Sequence, residues 1–182
     1  MTSSRINSLN LEDVRRDNAA RTPGFFCLNS PVSINHNLLI DLKQFSDAGG
    51  EDVRLSLHKE PKAAIHDMII LQRRSNGYRR PHCHSLKGET WHLLEGKMGV
   101  FVFDNDGGLT DSCLMEPGGY FLYRLEPHQY HTAIPLSDFV IYHESKLGPF
   151  LGDADSLYPT WAPDNSDPVS AAAYQDKLIN LL

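Results

Sequence analysis

Two histidines separated by one residue stand in the segment Arg80-Pro81-His82-Cys83-His84. Successive side chains on a β-strand point to opposite faces, so His82 and His84 are expected on one face and Cys83 on the other. Two imidazoles that point the same way can share one metal ion. We therefore interpret this pair as the beginning of a metal site.

Glu89 and His131 are the candidates that complete this site. A four-residue connection after His84 places Glu89 at the start of the next strand, where its carboxylate can reach the two imidazoles. His131 follows a turn that contains Pro127 and begins another apolar segment. Mixed nitrogen and oxygen ligands favour a divalent ion such as Fe, Mn, Ni, Co or Zn and leave coordination positions for water or substrate. The sequence predicts one such ion, with identity undetermined.

Three residues near these ligands are candidates for contacting a substrate. Tyr78 and Arg80 precede the histidine pair and could hold an anionic group, although arginines at strand ends are usually solvated. Trp91 is expected on the same face as Glu89, where it either lines a cavity or packs in the core. His92 is an odd number of residues from Glu89 and is expected to face away from the metal.

Short apolar segments separated by turn residues dominate the chain after Gly49-Gly50. We predict strands over residues 53–58, 64–72, 90–94, 98–103, 112–115, 120–125 and 139–143. This spacing is typical of an antiparallel sandwich or barrel and argues against alternating βαβ units. The core is therefore predicted to be all-β.

Helices are predicted only outside this β region. Apolar residues recur every three to four positions over 38–45, and we predict short helices there and over 9–20. A third helix is predicted over 169–182, with Asp167 as N-cap and Pro168 in the first turn. These elements divide the chain into an N-terminal arm over 1–34, a β-barrel domain over 35–163 and a C-terminal helix over 164–182 that packs on the barrel.

Composition excludes several classes of partner. The chain has 182 residues, a net charge of -6, and 17 Lys and Arg that form no run longer than two, which argues against nucleic acid and against a polybasic membrane patch. No apolar stretch reaches the roughly 18 residues of a membrane span, and none resembles an export signal. The three cysteines form no paired motif, which favours a reducing cytoplasm.

The predicted partners are a small-molecule ligand and a second copy of the chain. The apolar pair Phe25-Phe26 lies in the otherwise polar N-terminal arm. An arm of this kind can add a strand to the sheet of a neighbouring copy. We therefore predict a homodimer.

A family resemblance becomes visible once these motifs are in place. The stretch Gly77 to Gly96 resembles the first cupin motif, and Gly119 to His131 resembles the second. More narrowly, over roughly Asn35 to Leu182 the chain is similar to the WbuC family of cupin-fold metalloproteins, found with bacterial polysaccharide biosynthesis genes. The segments that carry this similarity are Arg54-Leu55-Ser56-Leu57-His58, Arg80-Pro81-His82-Cys83-His84, Phe103-Asp104-Asn105-Asp106-Gly107, Pro117-Gly118-Gly119, Glu144 ahead of Gly148-Pro149-Phe150, Trp161-Ala162-Pro163 and Ala171-Ala172-Ala173-Tyr174.

The resemblance implies a conical antiparallel barrel, a double-stranded β-helix, with metal ligands at His82, His84, Glu89 and His131. It also marks Glu144 as a candidate acid, base or ligand-supporting residue, and only one of the adjacent pair His143 and Glu144 can face inward. The chain departs from the second motif in having Glu126 and His128 where Pro and Gly are usual. Because Gly readily supplies positive φ, we expect an altered turn before His131.

Three functional hypotheses follow. The first is a mononuclear metalloenzyme, an isomerase, epimerase or dioxygenase, that acts on a sugar, nucleotide-sugar or similar small polar metabolite in polysaccharide biosynthesis. The second is a non-catalytic module whose metal organises a ligand pocket or the fold. The third is a metal-free, epimerase-like cupin that uses a histidine base.

Overall fold

The computed structural model describes residues 13–20 and 22–182. These residues form ten strands and two α-helices. In chain order they are β1 (Val14–Arg16), β2 (Gly24–Cys27), α1 (His36–Gly49), β3 (Val53–Ser56), β4 (Ile65–Arg73), β5 (Glu89–Glu95), β6 (Met98–Phe103), β7 (Leu109–Met115), β8 (Leu122–Leu125), β9 (Tyr130–Pro135), β10 (Phe139–Leu147) and α2 (Pro168–Ile179).

The strands form two sheets. The large sheet has seven strands in the order β1-β2-β3-β4-β10-β5-β8, and the small sheet has three in the order β7-β6-β9. Every pair of neighbouring strands is antiparallel except β2 with β3. The all-β fold class predicted from sequence is confirmed. In the described part of the chain, however, the strands form two facing sheets and do not close into one barrel.

Apolar side chains divide the molecule into four layers. Between the two sheets, buried residues of both face one another, among them Trp91 of β5, Val100 of β6 and Tyr142 of β10. On the outer side of the large sheet α1 contributes Leu38 and Leu42 to a second cluster. The outer side of the small sheet packs against α2. Burial on both faces explains why the six residues of β6 are all buried.

The helices confirm two sequence predictions. Helix α1 begins where the Asn35 side chain accepts a hydrogen bond from the Leu38 amide at 3.0 Å, and it ends at Gly50, whose φ is 68°. Helix α2 begins where Asp167 Oδ1 accepts from the Ser170 amide at 3.1 Å, and Pro168 follows the cap. Within residues 13–20 and 22–182, no helix has the length and hydrophobicity of a membrane span.

The helix predicted over 9–20 is wrong over its described part. Residues 14–16 are strand β1, which pairs with β2 so that Arg15 lies opposite Phe26; residues 9–12 lie outside the described residues. Pairing with a neighbouring strand overrides local helix propensity in a segment this short. Phe25 and Phe26 are buried in the chain's own sheet, while the homodimer and the division into three segments stay predictions.

Candidate metal centre

The structure brings the four predicted metal ligands together. One ligand atom from each of His82, His84, Glu89 and His131 lies within 4.8 Å of all the others. His84, Glu89 and His131 are 2–3% exposed, and His82 is half-buried. Among the described residues, these four form the group of His, Cys, Asp or Glu side chains that lie close enough together to hold a metal ion.

Both sheets contribute to this centre. Glu89 is the first residue of β5 in the large sheet, and His131 lies on β9 in the small sheet. The segment that carries His82 and His84 is tied to β9, because the amides of His82 and His131 donate to each other's carbonyls at 3.0 and 2.8 Å. The ligands are therefore fixed by backbone pairing rather than by side-chain contacts alone.

The turn before His131 is also fixed to the centre. His128 adopts a φ of 65°, the positive value that we expected a non-glycine residue to disfavour. Its amide donates to the His84 carbonyl at 2.8 Å. The chain thus keeps a left-handed backbone conformation at this position without a glycine. The hydrogen bond ties the turn that precedes His131 to the backbone of His84.

Hydrogen bonds at the outer ring nitrogens orient the imidazoles. His131 Nδ1 donates to the Gln129 carbonyl at 2.8 Å, and His84 Nδ1 donates to the Asp155 carbonyl. A carbonyl oxygen only accepts, so each Nδ1 carries a proton, and a neutral ring then has a bare Nε2. Those two Nε2 atoms are buried without a hydrogen bond, although they lie 2.9 and 3.2 Å from the Glu89 oxygens.

This arrangement fits a metal ion. Bare imidazole nitrogens and carboxylate oxygens at such distances repel unless positive charge lies between them. Burial lowers the pKa of His82 to about 3, so this ring is neutral. Burial opposes protonation of His84, but the Glu89 carboxylate outweighs it and raises the pKa of that ring. A proton on His84 and a metal ion are thus alternative sources of the positive charge that the centre requires.

Lys146 joins Glu89 to Glu144. Its Nζ lies 2.6 Å from Glu89 Oε1 and 3.0 Å from Glu144 Oε1, and the remaining Glu144 oxygen accepts from Trp91 Nε1 at 3.3 Å. Burial raises the pKa of Glu89, but Lys146 and the two histidines outweigh it, so its pKa lies well below the usual value. Burial likewise opposes the charge of Lys146, while both carboxylates raise its pKa.

A second buried ion pair lies next to the Nδ1 side of His84. Lys87 and Asp155 form a contact in which both side chains are about 5% exposed, and Lys87 Nζ also donates to the Pro149 carbonyl at 2.6 Å. The Asp155 carbonyl is the acceptor for His84 Nδ1. This pair holds the short 3-10 turn Gly152–Asp155 against the centre.

The other predicted site residues lie in different environments. Trp91 is buried with its ring centroid 5.4 Å from that of His131. Tyr78 packs edge-on against Tyr174 of α2, and Arg80 pairs with Asp164. Neither Tyr78 nor Arg80 lines the cavity described next, so their substrate role stays a prediction.

The side chains of His92, His143 and Glu144 point to the faces of β5 and β10 that were predicted from the sequence. His92 contacts Phe121 at a centroid distance of 5.5 Å, away from the ligands. His143 is half-exposed and lies 3.3 Å from Asp67, whereas Glu144 is buried and faces inward. Strand alternation accounts for each of these placements.

A cavity of about 780 Å³ adjoins the centre on the inner face of the large sheet. Its walls come from the strands β2, β3, β4 and β10 and from three connecting segments. They include Asp17, Ala19, Ala20, Thr22, Phe26, Arg54, Ser56, His58, Pro61, His66, Met68, Ile70, Glu144, Lys146, Phe150, Gly152, Asp153, Ser156 and Tyr158. Glu144 and Lys146 belong to both regions, and the Tyr158 ring lies 6.0 Å from the His82 ring.

Sequence reasoning missed two contributors to the centre. Lys146 is two residues after Glu144 on a strand, so period-two alternation would have placed it on the same inward face. Asp155 acts through its backbone carbonyl, which no residue type signals. The cavity was missed because its walls come from strands distant in sequence.

Comparisons with known proteins give limited matches. A family model described as a domain of unknown function, DUF6016, matches residues 51–115, little more than a third of the chain. No curated protein matches the sequence.

Solved structures show partial likeness. Oxalate decarboxylase from Lactobacillus farciminis is 17% identical, with a TM-score of 0.42 over 52% of this chain and 26% of its own. L-ribose isomerase from Cellulomonas parahominis is 14% identical, with a TM-score of 0.46 over 62% of this chain and 70% of its own. CapF is 14% identical, with a TM-score of 0.48 over 58% of this chain and 31% of its own.

The chain spans about a quarter of the length of the oxalate decarboxylase that it matches. One fold can host many chemistries, so the chemistry of this chain depends on the residues of its own site.

Proposed function

We propose that this chain is a mononuclear metalloenzyme that acts on a sugar, nucleotide-sugar or similar small polar metabolite in polysaccharide biosynthesis. The observation that carries the proposal is the convergence of three imidazoles and one carboxylate, with the Nε2 atoms of His84 and His131 2.9 and 3.2 Å from the carboxylate oxygens. Outer-side hydrogen bonds of the kind seen at His84 and His131 orient metal-binding imidazoles. A cavity beside the centre supplies space for a ligand.

His82, His84, Glu89 and His131 are the residues that would hold the ion. A bound divalent ion supplies Lewis acidity to a carbonyl or to a pair of hydroxyls. Lys146 helps to hold the pKa of Glu89 well below its usual value, because its Nζ lies 2.6 Å from a Glu89 oxygen, and it also lies 3.0 Å from a Glu144 oxygen. Burial of three of the four ligands excludes bulk water from one side of the site.

Glu144 is the group proposed to move a proton. Glu144 is 7% exposed and lines the cavity. Its carboxylate lies beside Lys146, which also contacts Glu89. A carboxylate in this position can accept a proton from a substrate carbon or hydroxyl and return it. Isomerisation, epimerisation and oxygen-dependent cleavage all use such a step, and the cytoplasmic location and homodimer predicted from sequence belong to the same proposal.

Elemental analysis of protein purified without an affinity tag tests the premise. We expect about one divalent ion per chain, its loss in His84→Ala, and its retention in His92→Ala, because His92 points away from the centre. Protein without a stoichiometric metal would refute the proposal and favour the metal-free, epimerase-like alternative.

Turnover of a panel of sugars and nucleotide-sugars tests the enzymatic part. We expect metal-dependent turnover that His84→Ala abolishes. Activity that survives this substitution would exclude metal catalysis. Stoichiometric metal without turnover of any panel member would favour the non-catalytic binding module.

A further inference from the structure

The cavity walls combine an apolar surface with a few polar groups. Phe26, Met68, Phe150 and Tyr158 supply apolar and aromatic surface, and His58 and His66 supply ring nitrogens. Cavities of this composition and volume hold small organic molecules, with the polar groups setting orientation. The charge and hydrogen-bonding capacity of the walls therefore indicate which class of molecule fits.

The cationic groups of the walls are already neutralised. Arg54 Nη2 lies 2.9 Å from Asp17 Oδ2, and Lys146 contacts the carboxylates of Glu89 and Glu144. In the described lining, each of these two cations is thus already paired with a carboxylate of the protein. A phosphate group would have to displace one of these ion pairs.

The two histidines of the cavity are hydrogen-bond acceptors. Their rings stack with centroids 4.3 Å apart and planes inclined by 18°. His58 Nδ1 donates to the Asp67 carbonyl at 3.3 Å, and His66 Nε2 donates to the Pro61 carbonyl at 3.0 Å. Burial lowers the pKa of both rings. In the neutral rings His58 Nε2 and His66 Nδ1 remain bare, and bare nitrogens accept hydrogen bonds from hydroxyls.

We propose that this cavity binds an uncharged, hydroxyl-bearing ring molecule, of the chemical class of a free pyranose, and discriminates against its phosphorylated and nucleotide-linked forms. Hydroxyls on the ring edge donate to His58 and His66, and the C–H face of the ring packs against the aromatic side chains. This inference rests on the proposed function in one respect, because Glu144 and Lys146 then direct one end of the ligand toward the metal centre. The inference narrows the proposed range of substrates to free sugars and excludes nucleotide-sugars.

Saturation-transfer NMR and calorimetry on the metal-loaded full chain test this inference. The probes are glucose, galactose and rhamnose, with glucose 1-phosphate, galactose 1-phosphate and UDP-glucose as charged counterparts. We expect at least one free sugar to bind about tenfold more tightly than the charged counterparts, because displacing an existing ion pair costs on the order of one factor of ten in affinity.

Matched variants locate the binding. His58→Phe keeps a stacked ring but removes the acceptor nitrogen, so we expect binding to weaken by about tenfold. His92→Phe makes the same change on the outer face of β5 and should leave binding unchanged. If His58→Phe fails to fold, Ala19→Trp fills the cavity from an exposed lining position and should abolish binding, while Ala173→Trp on the exposed side of α2 should not.

Three outcomes would overturn the inference: a charged counterpart that binds more tightly than the free sugars, no binding of any free sugar, or binding that survives both cavity variants. Metal content measured in the same samples separates this inference from the proposed function. Sugar binding without metal refutes the metalloenzyme and keeps the cavity assignment. Metal without sugar binding refutes the cavity assignment alone.

Discussion

The metal centre and the cavity share one face of the large sheet but handle charge in opposite ways. In the centre, the Nε2 atoms of His84 and His131 lie 2.9 and 3.2 Å from the oxygens of Glu89, contacts that a metal ion or a proton stabilises. In the cavity, Arg54 and Lys146 already contact carboxylates of the protein. The first region therefore favours binding of a cation, and the second favours a molecule without charge.

The largest expected effect separates the two regions by their histidines. Replacement His84→Ala removes a ligand of the centre and should weaken metal affinity on the order of a hundredfold or more. Replacement His58→Ala in the cavity should leave metal affinity within about twofold, since His58 is not among the four converging residues. Competition against a chelator measures both constants. Equal losses in the two variants would erase the distinction between the regions.

The substitution Lys146→Met tests the residue that contacts both the centre and the cavity. Loss of the Lys146 charge leaves Glu89 and Glu144 buried without their cation, so the free energy of unfolding of the metal-free protein should fall by about 3 kcal/mol. The rise in melting temperature on adding metal should become larger than in the wild type, because the ion then supplies the missing charge.

Lys97→Met is the matched control for this change. Its partner is Glu116 at 2.8 Å, and the two side chains are 59% and 38% exposed, so its loss should cost well under about 1 kcal/mol. Chemical denaturation with and without chelator gives all of these values. Identical losses in Lys146→Met and Lys97→Met would show that the pairs around Glu89 are not energetically special.

The centre was more accessible to sequence reasoning than the cavity, for a physical reason. Three of its ligands lie within eight residues, and period-two alternation alone places His82 and His84 together. His131 was found from its turn and the apolar segment after it. The cavity walls depend on the lateral order of strands, and β1 depends on pairing with β2, neither of which local pattern encodes.

A smaller effect is expected at the turn beside the centre. His128 has a φ of 65°, which costs a residue with a Cβ roughly 1 kcal/mol, so His128→Gly should raise the free energy of unfolding by up to about 1 kcal/mol. Gln129→Gly should lower it instead, because the Gln129 side chain accepts from the Glu126 amide at 2.8 Å. Urea denaturation distinguishes the two; a loss in both would exclude relief of backbone strain at His128.

The smallest expected effect is the pH dependence that the cavity contributes to stability. Burial lowers the pKa of His58 below its ordinary value, so above that ordinary value both states are neutral. As the pH falls below about 6.5, the unfolded chain takes up a proton before the folded chain does, and stability decreases. His58→Phe should lose less stability than the wild type between about pH 7 and 5. An unchanged slope in urea denaturation would contradict the neutral assignment of this ring.

The turn Gly152–Asp155 belongs to both regions through one short stretch of backbone. Gly152 and Asp153 form part of the cavity wall, while the Asp155 carbonyl fixes the proton on His84 Nδ1. Displacement of this turn by a bound molecule would move that carbonyl and remove the hydrogen bond that orients the His84 imidazole. Occupancy of the cavity would thus alter one of the four predicted metal ligands without direct contact between the bound molecule and His84.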